Sequence, residues 1–274
     1  MLIRCFSSVR ESHPLVVCFA NLVTANGCAN LLLAAGASPV MAEDPVGASE
    51  FTEKASALTI NLGTFYPMLR EAVRGAQETA LRRGIPVVLD PVGAGCAPSR
   101  TALALEILDR GVSVVRCNRS EANALLGLRS STHGVDASPD DAVTEENLDR
   151  AVGDVRTLAA KYRCVMAVTG AIDLVGSPDG RVAVIRGGNE IMTKITGSGC
   201  MLTALTGAFA GAEPKFLFET VSAALAAYGV CGELAFEALK PDEGSGTFHA
   251  RLIDAMDRLD VTAFHERIDY EVRA

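Results

Sequence analysis

Short apolar runs rich in β-branched residues alternate along the chain with longer segments in which apolar positions recur every third or fourth residue. The short runs predict strands at 15–20, 39–42, 57–63, 86–90, 113–118, 164–169 and 182–186. Runs such as VVLD and VMAVTG are apolar at successive positions, which predicts a parallel sheet covered on both faces. The longer segments predict helices at 25–36, 67–84, 99–111, 120–126 and 145–162. Gly36, Gly84 and Gly111 stand where C-caps fall. Beyond residue 200 the rhythm changes to helical stretches at 201–211, 213–239 and 246–259, a layer for one face of the sheet. The βαβα order predicts a doubly wound α/β sandwich. Without a linker between apolar halves, residues 1–274 read as one domain, with 1–13 as a flexible N-terminal extension. The polar, turn-rich stretch 129–144 reads as a mobile surface loop.

Charge and cysteine usage narrow the function classes. The 274 residues carry a net charge of −8, which disfavours nucleic acid and anionic membrane as partners. A small ligand is expected, with any anionic group met by local features. No apolar run reaches the ~18 residues of a membrane span, and residues 1–13 are too short and weakly patterned for a transit signal. The eight cysteines form no CxxC pair and have no histidine at zinc spacing. That is the usage of a reducing cytoplasm. Cys18, Cys117 and Cys164 lie in apolar strands, but Cys200 closes a glycine turn, TGSGC, before an apolar helix.

Ligands of open α/β sheets bind beyond the carboxyl ends of the strands. There the chain carries Asn61-Leu62-Gly63-Thr64, Asp90-Pro91-Val92-Gly93, Arg116-Cys117-Asn118-Arg119-Ser120-Glu121, Thr169-Gly170 and TGSGC. Gly197 and Gly199 let the backbone approach an anion, and the first N–H groups of the following helix point at it. Helix dipole and nearby cations such as Lys194 favour a thiolate at Cys200, while burial opposes it. A plain glycine turn with a buried cysteine fits GxGC alone equally well. Asp90 and Glu121 are two carboxylates past neighbouring strands, suited to magnesium on a nucleotide. Asp90 as a turn cap and Arg116 in a surface salt bridge are the plainer alternatives. Thr169 and Lys194 suit phosphate or, equally, a turn and solvent. GxxxxGK[ST], a Rossmann fingerprint, GxSxG and HExxH are all missing.

The segments ANLLLAAGASPVMA, NLGT, VVLDPVGAG, RCNRSE, AVTG, TKITGSGC and GSGTFHARLID, in this order, resemble the hydroxyethylthiazole kinases, the thiamine-salvage branch of the ribokinase-like superfamily. The resemblance runs from about residue 14 to about 260. It implies a three-layer α/β/α fold, mostly parallel and without a lid. It also implies a homotrimer with active sites between subunits, and phosphorylation of 4-methyl-5-(2-hydroxyethyl)thiazole by Mg2+ and ATP. Cys200 would take the seat where related kinases usually carry a catalytic Asp. Asn21, Val23, Met41, Gly63, Thr64 and Gly197 would contact the thiazole alcohol. Arg116, Thr169, Asn118 and Lys194 would face ATP, and Asp90 and Glu121 the metal. Two departures stand near the thiazole positions. The family's His-x-Ile-Thr-Asn reads Val17-Cys18-Phe19-Ala20-Asn21, and its Glu-Glu pair reads Val46-Gly47, with Glu43, Asp44 or Glu50 as substitutes. A different small-alcohol kinase such as a hydroxymethylpyrimidine kinase, an ADP-linked dehydratase and a non-catalytic binding relative remain open.

Overall fold

The computed structural model describes residues 1–128 and 142–274, so most of the loop expected at 129–144 lies outside the described residues. Nine strands form one sheet: β1 (Leu15–Phe19), β2 (Ser38–Met41), β3 (Ala57–Asn61), β4 (Val87–Asp90), β5 (Val114–Asn118), β6 (Val165–Thr169), β7 (Ile172–Gly176), β8 (Val182–Arg186) and β9 (Asp269–Arg273). Their order is β2-β1-β3-β4-β5-β6-β7-β8-β9. The first six are parallel, and β7, β8 and β9 continue antiparallel. No second, lid-forming sheet is present among the described residues.

Helices cover both faces. On one lie α1 (Leu2–Ser12), α2 (Ala25–Ala34), α8 (Ser198–Ala212), α9 (Leu217–Glu237), α10 (Ser245–Arg258) and α11 (Val261–Arg267). On the other lie α3 (Pro45–Thr52), α4 (Pro67–Arg83), α5 (Pro98–Arg110), α6 (Arg119–Leu126) and α7 (Leu148–Tyr162). Alternate residues of each central strand feed two separate cores. Val16, Cys18, Val88 and Val114 pack with α8 and α9, while Val17, Phe19, Leu89 and Val115 pack with α4 and α7. That double burial is why these strands read as unbroken apolar runs.

Sequence order reverses between β1 and β3, because β2 lies outside β1. Such a switch point leaves a crevice at the carboxyl edge, and residues 20–24 and 61–64 border it. A 3₁₀ turn, Glu190–Lys194, leads from β8 towards α8.

Several elements differ from the expectation. Residues 1–13 are no flexible extension. They form α1, which buries Cys5, Phe6 and Val9, stacks Phe6 on Phe264 at 4.6 Å, and sends Arg10 Nη2 to Met256 O at 2.7 Å. β7 and β9 were not expected, since IDLVG is short and DYEVR is charged and largely exposed. α3, PVGASEFT, escaped through its small polar composition and is started by Asp44, whose Oδ1 accepts from Gly47 N. By length and composition α9 could cross a membrane, contrary to the reading of the apolar runs. Yet 72% of its apolar window is buried inside the protein, as a core helix requires.

Candidate active site

The glycine turn and its thiol stand at the switch point. Gly197 is the N-cap of α8 with φ of 80°, and a Cβ there would meet Thr24 Cγ2 at 2.1 Å. Only glycine fits this combination of left-handed backbone and close approach. The helical ladder begins with Met201 N donating to Gly197 O at 2.8 Å, so the N–H groups of Gly199 and Cys200 lie outside it. Tyr228 of α9 pins the turn from behind, its hydroxyl donating to Ser198 O at 3.0 Å.

From Cys200 a chain of hydrogen bonds crosses three strand ends. Asn21, just past β1, offers Nδ2 to Cys200 Sγ at 3.2 Å and to Asn61 Oδ1 at 3.1 Å, while its Oδ1 accepts from Val23 N. Asn61, the last residue of β3, passes Nδ2 to Asp90 Oδ2 at 2.8 Å. Thr203, one turn after Gly199 on α8, donates to the same oxygen at 2.7 Å. Arg116 Nη1 stands 3.7 Å from it, and Arg116 Nη2 donates to Thr169 Oγ1. Gly63 has no room for a side chain, since its Cβ would lie 2.8 Å from Asn21 Nδ2. Thr64 Oγ1 accepts from Leu22 N at 3.0 Å, holding the β1 and β3 loops together.

Glu121 closes the far side. It and Asn118 form a capping box at the start of α6. Its Oε2 accepts from Asn118 N at 2.9 Å and its Oε1 from Gly93 N at 3.1 Å, which ties α6 to the DPVGAG turn.

The electrostatics follow from burial. Desolvation pushes the Asp90 carboxyl up, against the pull of Arg116, Thr203 and Asn61. Desolvation, then the charge of Asp90, push Glu121 up to about 8. Burial opposes the charge of Arg116, but Asp90 and Glu121 outweigh it and the guanidinium stays ionised. At Cys200, where dipole and burial oppose each other, desolvation first and Asp90 second raise the pKa above the ordinary thiol value, with Arg116 pulling the other way.

Two buried carboxyls beside one arginine, the charge of Asp90 raising Glu121, gain from a further cation. Asp90 Oδ1 is buried with no hydrogen-bond partner, while Oδ2 takes all the donors. Each Glu121 oxygen accepts one backbone N–H and keeps a lone pair. The pair therefore fits a magnesium ion that takes one or two carboxylates and fills its shell with water and phosphate. Among the described residues no group of three or more His, Cys, Asp or Glu could hold a metal without such outside ligands.

Of the sequence candidates, Cys200, Asn21, Gly63, Thr64, Asp90, Arg116, Thr169, Asn118, Glu121 and Gly197 converge on this edge. Met41 ends β2 and is 37% exposed. Lys194 and Val23 line a cavity on the other side of the turn, between α2 and α10. Asp44 is spent on its N-cap, and Glu43 accepts from Tyr66 Oη at 2.7 Å. Asn61 joins the converging residues as one of the strand-end residues the sequence offers, whereas Thr203, Thr24 and Tyr228 are not among the sequence candidates. The readable signal for Thr203 was a hydroxyl in an otherwise apolar helix turn.

Asp173 is a further, half-buried acid at this edge, accepting from Gly170 N at 2.9 Å, and desolvation pushes it up to about 6. The folded state thus holds a proton that the unfolded chain releases near 3.9. Stability falls as pH rises from about 4 to 6, and the full cost, about 3 kcal/mol at most, is present above 6. Asp173→Asn keeps the acceptor and removes the charge. Its stability advantage over the parent, from denaturant titrations, should grow between pH 4 and pH 7. A difference that stays flat across that range would remove the buried charge as the cause.

A parallel α/β/α core, a glycine turn opening a helix at the switch point and two carboxylates behind it define a ribokinase-like fold. It is shared with a ribokinase-like superfamily protein from Enterococcus faecalis at a TM-score of 0.61 and 14% identity, over 91% of this chain and 88% of that one. Closer likeness settles the branch. The profile of the Hydroxyethylthiazole kinase family matches residues 6–262, and the chain belongs to that family. It is 40% identical over 266 residues to the hydroxyethylthiazole kinase of Ruminiclostridium cellulolyticum, covering 96% of this chain and 94% of that one. The structure of a hydroxyethylthiazole kinase from Pyrococcus horikoshii superposes with a TM-score of 0.87 at 36% identity, covering 100% of this chain and 99% of the other.

Proposed function

We propose that the protein transfers the γ-phosphoryl group of ATP to the hydroxyethyl group of 4-methyl-5-(2-hydroxyethyl)thiazole. The observation that carries this is the Cys200–Asn21–Asn61–Asp90 chain, which places a thiol between free helix N–H groups and a carboxylate–arginine pair. The alcohol oxygen forms its bond to the γ-phosphorus as the bond to the β,γ-bridging oxygen breaks. Gly199 and Cys200 N–H receive the charge that develops on the transferred group. Arg116, Thr169 and Asn118 take the phosphates of ATP on one side of the turn, and Lys194 is a point charge on the other. Asp90 and Glu121 would hold Mg2+, directly or through water, where it would supply charge to offset the phosphates. Asn21, Val23, Met41, Gly63, Thr64 and Gly197 hold the thiazole.

The Cys200 thiol orients the hydroxyl, and in a loose transfer the hydroxyl proton passes late to an oxygen of the transferred phosphoryl group. Cys200→Ala should therefore lose about 10²-fold in kcat, the low end for a proton-transfer group. A loss beyond 10⁴-fold would make the thiol an obligatory base, and no loss would remove it from the reaction.

Leu22, Val23, Val46 and Met68 are each more than 60% exposed around the mouth of the crevice. An apolar rim of this kind supports a homotrimer with sites between subunits, which light scattering on the eluting protein would read directly. Eight free thiols support a cytoplasmic setting.

The test is ADP release with Mg-ATP, with and without the thiazole alcohol, and with hydroxymethylpyrimidine as control. Release that depends on the thiazole supports the reading. Release only with the pyrimidine reassigns the substrate. Nucleotide binding with no release from either points to a relative without transfer.

A further inference from the structure

Tyr228 stands in the middle of α9, at the end of the buried run 223–228, and is 3% exposed. Its hydroxyl is the sole polar side-chain group in that run. Burial raises the phenol well above its ordinary range, so the hydroxyl keeps its proton. A buried tyrosine hydroxyl needs a partner, and many carbonyls would serve. The one it takes is Ser198 O, at 3.0 Å. The hydroxyl has one hydrogen, and a carbonyl can only accept. Ser198 Oγ, 3.2 Å from the same hydroxyl, is therefore the donor to it. Ser198 Oγ feeds Tyr228, and Tyr228 feeds the Ser198 carbonyl, a short chain in which each bond strengthens the next.

The choice of carbonyl carries the consequence. Ser198 C=O and Gly199 N–H belong to one peptide unit, planar and trans, so the two point in opposite directions. At the start of α8 the carbonyl points along the helix and the N–H back out of its N-terminus. Gly199 N–H lies outside the helical ladder, which begins with Met201 N on Gly197 O at 2.8 Å. The turn itself does little to hold this plane. Gly197 and Gly199 have no side chains, and α8 has no side-chain cap. A donor fixed on the oxygen from behind sets the tilt of the plane. It also draws electron density away from the nitrogen, which makes the N–H a stronger donor.

We infer that Tyr228 is a positioning residue for the transfer, holding and polarising the Ser198–Gly199 peptide so that Gly199 N–H meets the charge on the phosphoryl group in flight. The inference rests on the phosphoryl transfer proposed above, and on no particular acceptor alcohol. Buried behind the turn, Tyr228 acts through the peptide alone.

The experiment uses the whole protein labelled on glycine nitrogen, with the Gly199 amide signal assigned by its loss in Gly199→Ala. The probe is Mg-ADP with aluminium fluoride, which mimics the group in flight and requires no turnover. In the parent the Gly199 amide should move further with the probe than with Mg-ADP alone. Tyr228→Phe keeps the ring in α9 and removes only the hydroxyl. It should bind the probe about tenfold more weakly, a fraction of the ~10²–10³-fold that loss of a whole donor costs. Its Gly199 shift should shrink, and its affinity for Mg-ADP should stay parental. With an acceptor that is turned over, kcat falls by the same factor and KM for ATP does not change.

A folded Tyr228→Phe with parental probe affinity and parental Gly199 shift overturns the inference. Equal weakening for Mg-ADP and for the probe also overturns it, because that is the mark of a purely structural hydroxyl. So does a parent whose Gly199 amide ignores aluminium fluoride. Since the probe contains no alcohol, absence of thiazole-dependent ADP release would reassign the substrate and leave this result standing.

Discussion

Asp90→Asn lowers kcat/KM for Mg-ATP about 10³-fold while the protein stays folded. Asp90 Oδ2 is where Asn61, Thr203 and Arg116 meet. An asparagine there can keep its amide oxygen towards those three donors, so the hydrogen-bond scaffold survives. What disappears is the negative charge. Arg116 is then buried without its counter-charge, and Oδ1, the unpartnered oxygen suited to a cation, becomes an amide NH2. A 10³-fold loss corresponds to about 4 kcal/mol of transition-state stabilisation, at 1.36 kcal/mol per tenfold in rate.

Titrating Mg2+ at fixed ATP separates the two losses. If Oδ1 faces the ion, the apparent Mg2+ affinity falls together with kcat. If Asp90 only steadies Arg116, KM for ATP rises while the Mg2+ dependence stays as in the parent. Thr203→Val gives the graded control. It removes one donor from the same carboxylate and leaves the charge, so a loss nearer tenfold is expected. An Asp90→Asn enzyme within tenfold of the parent would show that the carboxylate is only a turn cap.

Much of this site was legible because parallel strands deliver their functional residues at one edge. Asn61, Asp90, Asn118 and Thr169 each end a strand, and the runs before them announce those strands by being apolar on both faces. What stayed hidden depends on distance in space. The hydrogen bond between Asn61 and Asp90 spans two chain segments, and Thr203 looks like one hydroxyl in a core helix until α8 is laid across β3 and β4. The balance at Cys200 is open in sequence for a related reason. Helix dipole, lysine and burial can be weighed there, whereas the Asp90 charge that also raises the thiol depends on the fold. Edge strand β9 and helix α1 were missed because charged or polar residues cover one side of each, and only their packing partners make them ordered.

Gly199→Ala should cut turnover with ATP about 10²-fold and leave the protein folded, the helix-propensity gain offsetting part of the cost of moving Arg116. The residue lies in the first turn of α8, where alanine is favoured over glycine by up to ~1 kcal/mol. Nothing in its local backbone asks for glycine. The demand comes from Arg116: a Cβ at position 199 would stand 2.3 Å from Nη1, 2.8 Å from Nη2 and 2.9 Å from Cζ. A side-chain tip can usually swing aside, but this guanidinium is buried and held by Asp90 and Thr169. To make room it must leave Thr169, and it then no longer points at the space the α8 N–H groups enclose. Misplacing a positioned group by about 1 Å can cost ~10²-fold. Gly197→Ala would be a poor substitute experiment, because φ of 80° and the contact with Thr24 strain the fold itself. The informative result is a protein that still melts cooperatively as a folded enzyme while kcat falls about 10²-fold. A Gly199→Ala protein with parental kcat would mean that Arg116 works from another position, and its assignment to the phosphates of ATP would fall.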